Sequence, residues 1–183
     1  MARRIAYIGE PVLTLAEVAL QCRIEPEDLQ HELVEQIIIP GVTGLCESRT
    51  GAAIRQATYV EDWPEHYLSG HALDVGQATE VESLAVLRAD GSEQDLPGPF
   101  DLRQGHRESF LHFGTGRPPG VLRIRYRAGL DLDAHPGVRT WLLMAAATAY
   151  QQRETLVVGQ ALTELPSSFI DTLLADVTVP PRF

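Results

Sequence analysis

Val121-Leu122-Arg123-Ile124-Arg125-Tyr126-Arg127 alternates without a break between apolar and basic side chains. Successive side chains of a strand point to opposite faces, so Leu122, Ile124 and Tyr126 share one face and Arg123, Arg125 and Arg127 the other. The stretch is therefore a strand with one face in a core and one in water. Working outward, residues 109–113 and 81–88 read as further strands, and residues 54–61, before Trp63-Pro64, as another. Asp90-Gly91 is a hairpin turn signal, Leu96-Pro97-Gly98-Pro99 a second turn, and residues 114–120 a glycine- and proline-rich connection. Residues 69–80 read as a glycine-rich polar loop. The middle of the chain, about residues 52–130, is thus a small antiparallel sheet.

Helical patterns flank it. After an extended arm ending at Pro11, Thr14 and Glu17 have the spacing of a capping box, which opens a short helix closing near Arg23. Pro26 starts a second helix with Leu29, Leu33, Val34, Ile37 and Ile38 on its apolar face. A proline costs about 3 kcal/mol in a helix interior, so Pro40-Gly41 predicts a kink or a break. Leu45 and Cys46 continue the apolar face, and Gly51 supplies a C-terminal cap. A third helix, about residues 136–154, is apolar on most sides and should be central; a short last helix follows Ser167 or Ser168. The expected fold is α+β and mainly helical: a small helical bundle, helices about 14–51 and 136–175, with the antiparallel sheet inserted between the second and third main helices. Residues 176–183 form an extended tail, and from about Val177 the chain should add little to a core.

Composition limits the chemistry. The chain has 183 residues, 44% hydrophobic and 22% charged, the balance of an ordinary globular protein. No stretch approaches the ~18 apolar residues of a membrane span, and no apolar core follows Arg3-Arg4 as in a signal peptide. All 15 basic residues are arginine. A Schiff-base lysine and a phosphate-loop lysine are therefore excluded. A net charge of −10 opposes tight binding to DNA phosphate, though an acidic wall would let a duplex slide past.

Local motifs point away from catalysis. His31-Glu32-Leu33-Val34-Glu35 lacks the second histidine of a helical zinc motif. Gly114 to Gly120 joins two strands, whereas a phosphate cradle leads into a helix. The 6 histidines are scattered, no serine sits in a nucleophile elbow, and Cys22 and Cys46 match no metal or redox spacing. No catalytic, metal or cofactor site is assigned. Arg123, Arg125 and Arg127 carry three readings: a solvated face paired with neighbouring carboxylates, an intersubunit or partner contact suited to arginine's bidentate fork, or a DNA contact.

The order of features resembles the head–tail connector (adaptor) family of tailed bacteriophages. The likeness begins with Leu13 to Glu17, Arg23-Ile24, Glu27-Asp28 and the close on Glu47-x-x-Thr50-Gly51. It continues through Thr58 to Pro64, Val121 to Tyr126, Ala128-Gly129-Leu130, His135-Pro136-x-Val138-Arg139, Tyr150-x-x-Arg153-Glu154, Leu165-Pro166 and Leu173-Leu174. It covers roughly residues 13–175, read as one connector domain, and departs at Pro40 to Gly44 and in the long 69–80 loop.

The resemblance implies a non-enzymatic virion protein without cofactor. It implies a homo-oligomeric ring, typically of twelve, in the neck between the portal and a stopper, head-completion or tail protein. DNA would pass through without specific binding, and assembly would take place in the host cytoplasm. By the same analogy Leu165, Phe169, Leu173, Leu174, Val179 and Phe183 dock on the portal. Another neck or tail-completion part is the alternative of the same class, and a small enzyme or binding module the alternative of a different one.

Overall fold

The structure, a computed structural model, describes residues 1–96, 98–152 and 172–180. It corrects the expected fold class. Among the described residues the chain is about 31% helical and 29% strand, with eight strands in two antiparallel sheets, so it is not a mainly helical bundle. The excess strand comes from segments without the buried alternation that marks residues 121–127. Residues 3–7, read as an arm, form a strand that is almost wholly exposed, and residues 93–95 are a strand in which no residue is buried.

The chain divides into two compact units. The first holds residues 1–10, 51–130 and 177–183. Its strands are β1 (Arg3–Tyr7), β2 (Ala57–Trp63), β3 (His71–Ala72), β4 (Ala78–Leu87), β5 (Glu93–Asp95), β6 (Phe100–Gln104), β7 (Ser109–Phe113) and β8 (Val121–Ala128). One sheet runs β1-β2-β8-β4-β5 and the other β3-β7-β6, and every pairing is antiparallel. The alternation of β8 holds: Leu122, Ile124, Tyr126 and Ala128 are buried while the arginines face outward. Tyr59 and Trp63 of β2, Leu84 of β4 and Leu111 and Phe113 of β7 complete this core. Fully burying a side chain such as Leu122 stabilises by about 1.5–3 kcal/mol.

Residues 69–80, read as loop, supply β3, the start of β4 and a parallel bridge from Gly76 to Ala52. Residues 177–180 are part of this unit. Val177 is fully buried, so the expectation that the chain adds little to a core from there fails at Val177 itself. Val179 lies against Gly51 and Gly76.

The second unit holds residues 11–50 and 131–176. Helix α1 (Leu15–Cys22) opens with the expected capping box: the Glu17 backbone N–H donates to the Thr14 hydroxyl, and the Thr14 backbone N–H donates to the Glu17 carboxylate at 2.8 Å. Its C-cap, Arg23, is left-handed at φ 60°. Thr14→Ala removes a cap of typical strength, and an expected loss of about 1 kcal/mol is measurable by chemical denaturation.

Pro26 starts only an isolated 3₁₀ turn (Pro26–Asp28), and the long helix begins at His31. It runs as α2 (His31–Leu33), a π-helical turn (Val34–Ile38) and α3 (Ile39–Thr50). Pro40 therefore does not end it. Proline has no N–H to donate and its ring crowds the carbonyl four residues back. The π turn just upstream, closed by the Ile39 N–H donating to the Val34 carbonyl, widens the ladder where that ring sits. Helix α4 (Pro136–Gln151) buries Val138, Trp141, Leu142, Ala146 and Ala147. Arg153 and Glu154, expected at its close, lie outside the described residues.

Candidate functional site

The outer face of the five-stranded sheet carries the densest polar arrangement, built on β8. The register sets Arg123 opposite Asp62 of β2 and Ala85 of β4, Arg125 opposite Val60 and Ser83, and Arg127 opposite Thr58 and Glu80. Arg123 grips Asp62 with two N–H groups, at 2.8 and 2.7 Å, and donates a third to Glu93 of β5 at 3.0 Å. Arg125 takes both oxygens of Glu93, each at 2.9 Å. Arg127 donates to Glu82 at 2.6 Å and to Glu80 at 3.4 Å. Four strands thus lend side chains to one lattice of alternating charge, and the bidentate contacts use arginine's planar fork.

These contacts have a pH signature. The hydrogen bond from Arg123 holds the Asp62 carboxyl below its usual value, and those from Arg125 and then Arg123 do the same to Glu93. A carboxyl depressed in the fold contributes stability that is present above its unfolded pKa and lost as pH falls through its lowered one. The stability difference between wild type and Glu93→Gln should therefore be full at neutral pH and shrink below the ordinary carboxylate range. Urea unfolding of both chains across that range measures it. The lattice is partly solvated, so added salt should shrink the same difference.

The geometry realises the paired reading of Arg123, Arg125 and Arg127. The sequence reading did not pick out the partners Asp62, Glu80, Glu82 and Glu93. Two signals were present: Asp62 follows the inward Glu61, and Glu80 and Glu82 alternate along β4.

A second polar cluster lies inside the same unit. Glu61 is 2% exposed, between Tyr59 and Trp63 on the inward face of β2. One carboxylate oxygen accepts the Trp63 indole N–H at 2.5 Å; the other accepts the Asp74 backbone N–H and the Tyr126 hydroxyl, both at 3.0 Å. Burial, and then the neighbouring Asp74 carboxylate, push the Glu61 carboxyl up. Burial, reinforced by Glu61, pushes the Tyr126 phenol well up. Every contact of this carboxylate is to a group of the same unit, with three donors tying β2 to β8 and to residue 74. That is the geometry of a structural tie.

The remaining sequence candidates fall apart in space. Among the described residues no group of histidine, cysteine, aspartate and glutamate can hold a metal. The His31 ring bonds to the Pro26 carbonyl at 2.8 Å, while His71 stacks on Tyr67 with ring centroids 3.8 Å apart. Cys22 and Cys46 are free and buried; burial first, and Glu47 next, push the Cys46 thiol up to about 12, so it stays protonated and unreactive at neutral pH.

The 114–120 connection turns back into β8. Its Arg117 donates to the carbonyls of Pro118, Pro64 and Gly120, at 2.5, 2.9 and 2.9 Å, so the loop is clamped by its own chain. Of the C-terminal candidates, Leu174 is buried and Leu173 and Val179 are half-buried; Leu165, Phe169 and Phe183 lie outside the described residues. No helix among the described residues is long and apolar enough to cross a membrane.

No family model matches the sequence, and no curated protein matches it. Solved structures do. A chain of the virion of a native gene transfer agent (GTA) particle superposes with a TM-score of 0.77 at 16% identity, over 100% of this chain and 97% of that one. A chain from the neck of an empty GTA particle computed with C6 symmetry gives 0.73 at 16% identity, with the same coverage. A chain from the neck of a native GTA particle computed with C12 symmetry gives 0.65 at 15% identity, again with that coverage. The whole chain shares the fold of these chains.

Proposed function

We propose that this chain is a structural subunit of the neck of a tailed, phage-like particle, working as an adaptor ring between the portal and a stopper or tail component. The observation that carries the proposal is the end-to-end fold match to chains of GTA virions and necks. The polar geometry supports it, since both clusters are satisfied within the chain and neither offers a convergent reactive group. The acidic, lysine-free composition suits a channel wall past which DNA moves without sticking.

The twelve-fold neck favours twelve copies. Another neck or tail-completion part is the second reading, and a neck computed with C6 symmetry also accommodates a six-copy ring. In the adaptor reading, residues 165–183 carry the portal contact through Leu165, Phe169, Leu173, Val179 and Phe183, with the buried Leu174 as anchor. The arginine face is then a candidate for the contact with a neighbouring subunit or the next ring. In this reading the chain works in the virion neck, after a period in the host cytoplasm.

Native mass spectrometry of the purified chain, alone and with portal protein, tests this. The adaptor reading expects a closed ring on the portal with twelve added copies. Six copies would select the second reading. A chain that never joins portal or tail components but turns over a small substrate would overturn both.

A further inference from the structure

Resting on the ring reading above, we infer that neighbouring subunits join edge to edge through the five-stranded sheet, β5 of one copy lying beside β1 of the next. β1 and β5 are the two ends of the strand order, each paired on one side only. Both are open to solvent: Arg3 to Ala6 are exposed along β1, and all three residues of β5 are. Ile5 and Ile8 stand 52% and 47% exposed at the β1 edge, an apolar cost that a neighbour would remove.

The two edges differ in charge. β1 carries Arg3 and Arg4, while β5 carries Glu93 and Asp95. Charged edge strands ordinarily guard against pairing, which works when the edges of two copies repel each other. Here one edge is basic and the other acidic, so each copy offers the next an edge it attracts.

The register places these charges on the same side. Arg3 pairs with Val60, which pairs with Arg125; Asp95 pairs with Ala85, which pairs with Arg123. Directly opposed residues share a face, so Arg3 and Asp95 both lie on the outer, arginine-lattice face, at opposite ends of the sheet. Glu93 is held by Arg123 and Arg125, and the Arg4 guanidinium lies 4.0 Å from the centre of the Tyr7 ring. Among the described residues, by contrast, no carboxylate pairs with Arg3 and no cation with Asp95. Edge pairing brings these two unmatched charges together and extends the lattice from one copy to the next. Joining two different edges is a head-to-tail contact, the kind that closes into a ring when the rotation per copy allows.

Strand spacing gives a clean test. Three strands separate β1 from β5, so Arg3 and Asp95 of one copy are about 19 Å apart. A disulfide needs Cα atoms within about 7 Å, so one between positions 3 and 95 can form only between copies. The full-length chain carrying both Arg3→Cys and Asp95→Cys is oxidised mildly while light scattering follows its assembly, with each single variant in parallel. The expected result is a ladder of covalent oligomers from the double variant and none above a dimer from the singles.

A chain that assembles into rings yet gives no ladder overturns edge pairing and leaves the ring reading standing. One that stays monomeric at every concentration and on portal overturns both. As a second arm, Arg3→Asp should weaken self-association about tenfold, and Arg3→Asp with Asp95→Arg should restore it. Failure of that rescue, with both chains folded by circular dichroism, also overturns the pairing.

Discussion

Glu61→Ala should cost about 3–5 kcal/mol of folding stability, read as a shift of the denaturant midpoint at unchanged slope. The substitution removes one acceptor group but strands three donors: the Trp63 indole N–H, the Asp74 backbone N–H and the Tyr126 hydroxyl. Each buried donor left without a partner costs about 1–3 kcal/mol, and water entering the vacated space recovers part of that. Glu61→Gln keeps the shape, but its amide must point N–H groups at a donor on one side, so a smaller loss of about 1–3 kcal/mol is expected.

The pH dependence of these variants carries the sign of the cause. Because the Glu61 carboxyl is raised in the fold, the folded chain holds a proton the unfolded chain has released between the ordinary carboxylate pKa and the raised one. Stability from this group therefore falls as pH rises through that window, opposite to the contribution of Asp62 and Glu93. Glu61→Gln should remove the fall. A wild-type profile that shows no such fall, or a variant that keeps it, would count against burial as the cause.

Gly76→Ala should cost about 2–4 kcal/mol, at the upper end of overpacking. A methyl group there would stand 2.4 Å from the Arg107 carbonyl oxygen and 2.8 Å from Val179 Cγ2. The first contact is backbone and cannot move aside cheaply. Gly76 also donates its N–H to the Gly51 carbonyl at 3.3 Å and accepts from the Ala53 N–H at 3.5 Å, so shifting it disturbs the junction where the sheet begins. Faster amide exchange around Ala53 and residues 177–179, relative to wild type, is the accompanying readout. Unchanged exchange at both places would show that the close approach is not needed.

These two sites mark what the sequence could and could not convey. β8 was legible because one face is buried and one wet, and that contrast is written residue by residue. The capping box at Thr14 and Glu17 was legible for the same local reason. Glu61 lies in the same kind of pattern, between Tyr59 and Trp63, and its inward position could have been read. Its three donors could not, since they come from three places on the chain. β1 escaped because it is held by backbone pairing to a distant partner and leaves its side chains almost wholly exposed, whereas β5 and β6 pair with their chain neighbours β4 and β7 but are short, and β5 buries no residue. The mainly helical expectation failed on those strands. Gly76 was read as a loop glycine because nothing local reveals a carbonyl from residue 107 at its back. The helix through Pro40 persisted because a π turn absorbs the proline, and the burial of Val34 and Ile38 at the ends of that turn is a tertiary constraint that no propensity encodes.

The central claim is that this fold works by touching copies of itself and the components above and below it in a particle neck. Residue-level imaging of assembled particles containing this chain tests that most directly. The account predicts a closed ring of this two-unit fold beneath the portal, with Arg3 of each copy beside Asp95 of its neighbour. Particles whose neck is complete without the chain, or a chain found there in a single copy away from the symmetry axis, would contradict it.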